Sequence, residues 1–173
     1  MDYFDQLNHL AEDWNAHSVC AKIAEIFQVK VTEVALLDLR GNLLYFLYPE
    51  ELKSAGAIPV SSSAVAARTA QSKKAEIFNS FTQVNHFSIF ELIKLGDSGL
   101  DAQVIQKLMS APILNSAGTV LGVLQISRKG PRPAIAGPDF TGADLQKLES
   151  VAKFVAKSMA RSRAMAQAAG QVY

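Results

Sequence analysis

The sequence predicts an α+β fold, a central and mostly antiparallel β-sheet flanked by helices. Three observations carry this expectation. Two stretches, "VTEVALLDLRGNLLYFLYP" and "SAPILNSAGTVLGVLQIS", each place apolar runs on either side of a short polar turn, the pattern of a hairpin. Helical spacing of apolar residues is strongest at the two ends of the chain. Between them the order helix, two strands, helix, strand, long irregular crossover, hairpin, helix fits a sheet with helices packed on it.

The first helix is expected over Tyr3 to Phe27. Phe4, Leu7, Ala11, Trp14, Ser18 and Ala21 step by three and four and line one side, while Val19, Ile23, Ile26 and Phe27 line another. Such a helix touches two things, a core and a second surface. Strands follow over Val31 to Leu39 and Leu43 to Tyr48, joined at Arg40-Gly41-Asn42, and Pro49 ends the second because it cannot donate to the ladder. A short helix spans Ser62 to Gln71, with serines offered as caps, and Ala75 to Phe78 is a brief strand.

Asn79 to Val104 is irregular and holds Phe81, Phe87, Phe90, Gly96 and Gly99; a connection of such length is commonly functional or mobile. Ile105 to Leu114 and Thr119 to Ser127 pair around Asn115–Gly118, and Gly122 inside the second strand marks a close approach of another group. Pro131, Pro133, Gly137 and Pro138 make a loop. Thr141 and Asp144 then form a capping box for the last helix. Along that helix Leu145, Leu148, Ala152, Val155, Met159, Ser162 and Ala166 form a heptad-like seam, with Val151 and Phe154 directed to the sheet. The tail from Ala164 is expected to fray and to break at Gly170. The resulting division is a helical extension over 1–18, a domain over 19–160, and a helix end with frayed tail over 161–173.

A chain of 173 residues is long enough for one domain with a full core. A net charge of +1 argues against a nucleic-acid surface, and no apolar run is long enough to span a membrane. The N-terminus carries acids early and does not read as a signal peptide. Cys20 is the only cysteine, which excludes an internal disulfide and a Cys-rich metal site. A cytoplasmic location is expected.

"IPVSSSAVAARTAQSKKAEIFN", "SAPILNSAGTVLGVLQIS" and "FTGADLQKLESVAKFVAKSM", in this order and spacing, resemble the GAF domain family of small-molecule sensors over roughly Val19 to Met159. The resemblance implies a GAF/PAS-like sheet with the N- and C-terminal helices packed together. It also implies a ligand pocket on one sheet face under the crossover, and end helices that mediate dimers. Family members that attach a bilin use a pocket cysteine, which the crossover from Asn79 to Val104 lacks. Those that reduce free methionine sulfoxide rely on several cysteines, and Cys20 alone cannot supply them. The Asn-Lys-Phe-Asp-Glu set frequent in cyclic-nucleotide binders has no match here.

Phe78, Phe81, Phe87, Phe90 and Ile93 offer an apolar lining for a ligand, with His86 among them. The same side chains would equally plug that space as core, and His86 would equally be a loop histidine bonded to backbone or water. No nucleophile with an orienting base is evident, no Gly-x-Ser-x-Gly elbow is present, and His9 and His17 lack a third metal ligand. No catalytic residue and no metal site is therefore assigned, the cofactor is left open, and the protein is expected not to be an enzyme.

Lys153, Lys157 and Arg161 form a basic stripe that reads best as a solvated face. Arg128, Lys129 and Arg132 could grip an anion, although charges trailing off a strand are commonplace. Leu7, Trp14, Leu145, Leu148, Ala152, Val155 and Met159 are assigned to a homodimer interface, with packing between the first and last helices of one chain as the alternative. The expected function is sensing of an unknown small molecule under the 79–104 segment, read out by dimeric terminal helices. A downstream signalling protein would be a further partner. The alternative is a ligand-free dimerisation or protein-interaction module.

Overall fold

The computed structural model describes residue 5 and residues 15–54, 56–81 and 104–170. Helix α1 (Ala16–Phe27) starts at Asn15, whose side chain accepts a hydrogen bond from the Ser18 amide, and ends at Gln28 in the left-handed conformation. Strands β1 (Val34–Arg40) and β2 (Leu43–Tyr48) form the first hairpin. After them come β3 (Ile58–Pro59), helix α2 (Val65–Ser72) and β4 (Glu76–Phe78). Strands β5 (Ile105–Leu114) and β6 (Val120–Lys129) form the second hairpin, followed by the short helix α3 (Pro133–Ala136) and the long helix α4 (Gly142–Ala168). The six strands pair antiparallel in the order β3-β2-β1-β6-β5-β4.

Helices cover both faces of this sheet, which is why its central strands are apolar at almost every position. Val34 and Leu36 of β1 join α1 and α4 in one core, with Met109, Ala111, Ile113, Leu124 and Ile126. Ala35 and Leu37, pointing the other way, join α2 in a second core with Leu108 and Val123. Among the described residues, no helix is long and apolar enough to cross a membrane.

Four features depart from the sequence expectation. The strand expected from Val31 begins at Val34, because Val31–Glu33 form a 3-10 turn. The Glu33 carboxylate fixes that turn by accepting from the Lys30 amide at 2.8 Å and the Lys129 amide at 2.6 Å. Helix α2 begins at Val65 rather than near Ser62, and no side chain caps it; the Ser62 hydroxyl instead meets the Ala64 amide at 3.4 Å. The expected loop over 131–138 contains α3, for which Pro133 is preset by its fixed φ. The last helix also runs on to Ala168, through Ala and Met residues that favour helix, before Gly170 (φ 75°) breaks it.

The capping box of α4 is formed as expected, Thr141 and Asp144 exchanging bonds of 2.8 and 3.1 Å. The seam is turned inward. Leu148, Ala152, Val155 and Met159 are at most 3% exposed and pack on the sheet of their own chain, while Leu145 is half-buried beside them. These side chains are therefore used within one chain, against the sheet rather than against the first helix. Leu7 and Trp14 lie outside the described residues. Helices α1 and α4 share this sheet face and are linked where Lys147 donates to the Ile26 carbonyl at 3.2 Å and stands over the Phe27 ring.

Cys20 and Tyr48 are both buried in this core. Burial pushes the Cys20 thiol far above its ordinary value. Burial, followed by the charges of Cys20 and Glu51, pushes the Tyr48 hydroxyl up to about 12. Both groups hold their protons more tightly folded than unfolded, where they titrate near 9.0 and 10.0. The stability tied to those protons is complete below pH 9 and is lost as pH rises from there through about 12. Urea denaturation at stepped pH is expected to show this decline. In Cys20→Ala the decline should start about one pH unit later, near the ordinary tyrosine value of 10.0.

Candidate functional site

The face of the sheet under α2 is mostly apolar and carries a line of bonded polar side chains. Thr69 of α2, Ser110 of β5 and Gln125 of β6 are all buried there. Thr69 Oγ1 donates to the Val65 carbonyl at 2.9 Å and lies 2.7 Å from Ser110 Oγ. Since the single Thr69 proton is already used, Ser110 donates to Thr69 and itself accepts from Gln125 Nε2 at 3.2 Å. The bonds thus run in one direction, Gln125 to Ser110 to Thr69 to backbone. The Gln125 amide oxygen, at the head of this line, has no partner among the described residues.

Around the line, Ile105, Leu108, Val123 and Phe81 supply apolar surface, with Phe78 packed against them. Phe81 is 3% exposed, so it is core. Phe78 is half-buried under the Arg68 guanidinium, which is held in place by two bonds to the Glu76 carboxylate at 2.7 and 2.9 Å. Asn79 fixes the start of the crossover by exchanging bonds of 2.8 and 3.0 Å with the backbone of Phe140. The structure therefore brings Phe78 and Phe81 together on the α2 face. His86, Phe87, Phe90 and Ile93 lie outside the described residues.

Hydroxyls and an amide bind and orient; without a carboxylate or imidazole in the line they have no general base. No group of His, Cys, Asp and Glu among the described residues is arranged to hold a metal. Cys20 sits in the opposite core, and a buried thiol with a raised pKa makes a poor nucleophile. The basic residues at the end of β6 have structural duties. Lys129 donates to the Thr32 carbonyl at 3.0 Å, and Arg128 stacks on Phe140 with its centre 4.7 Å from the ring.

Thr69, Ser110 and Gln125 were not foreseen from the sequence as site residues. Their signal is a polar residue within an apolar strand, as in "KLMSAPIL" and "VLQIS", and it becomes legible only once the facing helix is known.

The family model for the GAF domain matches residues 16–159. Similar solved structures include the GAF domain of an Acinetobacter phosphoenolpyruvate-protein phosphotransferase, 15% identical over 96% of this chain and 99% of that one, with a TM-score of 0.66. The GAF domain of the corresponding Coxiella burnetii protein is 10% identical over 95% of each chain, with a TM-score of 0.69. A free methionine-R-sulfoxide reductase from Neisseria meningitidis, in complex with its substrate, is 19% identical over 93% of this chain and 88% of that one, with a TM-score of 0.62. At these identities the likeness is one of fold. No curated protein sequence matches the chain.

Proposed function

Because the chain belongs to the GAF domain family, whose members are sensory and regulatory domains of signalling proteins, we propose that it is a non-catalytic sensor of a small molecule. The ligand binds on the α2 face of the sheet, under the 79–104 segment, and the terminal helices read out its arrival. The observation that supports this reading is the bonded line of Gln125, Ser110 and Thr69, buried polar side chains set among the apolar ones of the α2 face. A few placed polar atoms among apolar side chains are what orients a small molecule in a pocket. Binding would shift the population toward the state that accepts the ligand. Readout by a dimer through the terminal helices would use faces of α4 other than the seam, since the seam is internal.

Thermal-shift screening against amino acids, cyclic nucleotides and common metabolites tests the reading. A ligand at 100 times its Kd stabilises by about 2.7 kcal/mol, an upward shift of several degrees for a chain of this size. Gln125→Leu is expected to keep the fold and lose the shift. A shift of equal size in that variant would place the ligand elsewhere.

A ligand-free interaction module is the second reading, favoured by the burial of Phe81 in the chain's own core. It predicts that no compound stabilises the protein. Sedimentation would show in either case whether the chain dimerises.

A further inference from the structure

On the other side of the molecule a groove of about 890 Å³ opens between α4 and the edge of β5. Strand β4 pairs with β5 at Leu108, Met109 and Ser110, and beyond Ser110 the β5 edge has no strand beside it among the described residues. Pro112 and Leu114 of that edge, with Ala152, Ala156 and Ala160 of α4, line the groove. Lys153 and Lys157 stand along one bank and Lys73 and Lys74 along the other, all four exposed. None of the four forms an ion pair among the described residues, whereas Lys22, Arg68, Lys107 and Arg163 each have an acidic partner. The one acid in the lining, Glu149, sits at the end nearest the start of α4.

We propose that this groove docks an acidic amphipathic helix from a partner protein. Its lining on α4 runs from Glu149 to Ala160, three helical turns or about 16 Å, which suits a helical segment better than a compact molecule. Ala152 and Ala156 are the buried floor of the groove and Ala160 its exposed end, small side chains that leave room for a second helix, and lysines on both banks match acids flanking its apolar stripe. A second copy of this chain, meeting the groove across a two-fold axis, would set the same lysines against each other. Glu149 gives the groove a direction, favouring a helix with a basic or neutral residue at that end. The inference does not depend on ligand sensing at the α2 face, and the two are tested by different probes.

The test is fluorescence anisotropy of the full chain with a labelled 16-residue synthetic helix, about the length of the groove plus one turn. Its apolar stripe is Ala and Leu, flanked by Glu on both sides; a second peptide carries Lys in place of Glu. The acidic peptide should bind and the basic one should not. Its Kd should rise about tenfold between 50 and 300 mM salt, because exposed charges are screened. Lys153→Glu with Lys157→Glu should weaken it by at least about tenfold, as should Ala160→Trp, which fills the groove without changing charge. Lys53→Glu, an exposed lysine outside the groove, should leave binding unchanged.

Equal binding of the two peptides, or unchanged affinity in both groove variants, overturns the proposal. So does a change in the sedimentation of the peptide-free chain in the lysine variant, which would make a second copy the occupant. Saturation by octanoate with no binding of the acidic peptide would give the groove to a small anion and overturn it as well.

Discussion

Gly122→Ala is expected to destabilise the chain by about 3 kcal/mol, the upper end of what overpacking costs in a core. A Cβ at this position would lie 2.0 Å from the Leu37 carbonyl oxygen and 3.4 Å from the Met159 methyl. The first obstacle is backbone in the centre of the sheet, which cannot rotate aside as a side chain can. Two irregularities create the approach. The β5–β6 register shifts between Ile113 and Leu114, opposite Gly122, and the β1–β2 register shifts between Leu36 and Leu37. Accommodating a methyl group would require β1 and β6 to part where both cores meet. Gly118→Ala is the control: its φ of 80° disfavours alanine, but no atom lies within 4 Å of the added carbon. It should cost about 1 kcal/mol. Urea denaturation of both variants decides the matter, and a Gly122→Ala penalty no larger than the Gly118→Ala one would remove the proposed contact.

The same glycine shows what the sequence makes legible. Both hairpins, the closing helix with its capping box, and the close approach at Gly122 are written in local patterns of a few residues. So is the sheet with helices on it, since alternation and turn chemistry are short-range properties. What escaped was decided by distant partners. Glu33 delays the start of β1 because Lys129, far along the chain, offers its amide. The α4 seam has the spacing of an interhelical contact, yet a sheet accepts the same stripe, and spacing alone does not say which surface lies opposite. Ser110 and Gln125 acquire meaning only beneath Thr69, and the basic stripe on α4 only once Lys73 and Lys74 stand across from it.

Arg163→Met is expected to cost about 2 kcal/mol and to loosen the end of α4 from the sheet. Arg163 reaches from α4 to the Asp38 carboxylate and donates to the carbonyls of Leu39 at 3.2 Å and Leu121 at 3.0 Å. Asp38 pairs across the sheet with Gly122, so the guanidinium closes over the same irregular stretch that holds Gly122 against Leu37. The Asp38 side chain is only 4% exposed, and its other oxygen accepts from Arg40 at 2.8 Å. Removing Arg163 leaves that carboxylate buried with one cation instead of two, and leaves the Leu121 and Leu39 carbonyls short of a donor. All three acceptors are met by the one guanidinium nitrogen Nη2, so Arg163→Lys, which keeps the charge and three donors at its tip, should recover part of the loss. Hydrogen exchange gives the more telling readout: amides from about residue 160 to 168 should exchange faster in Arg163→Met, while those of β5 and β6 keep their order. Uniform acceleration through the whole sheet would mean that Arg163 supports global stability alone. Confinement to the helix end would make it the point at which a rearranged sheet is felt by α4, the connection that a readout through the terminal helix requires.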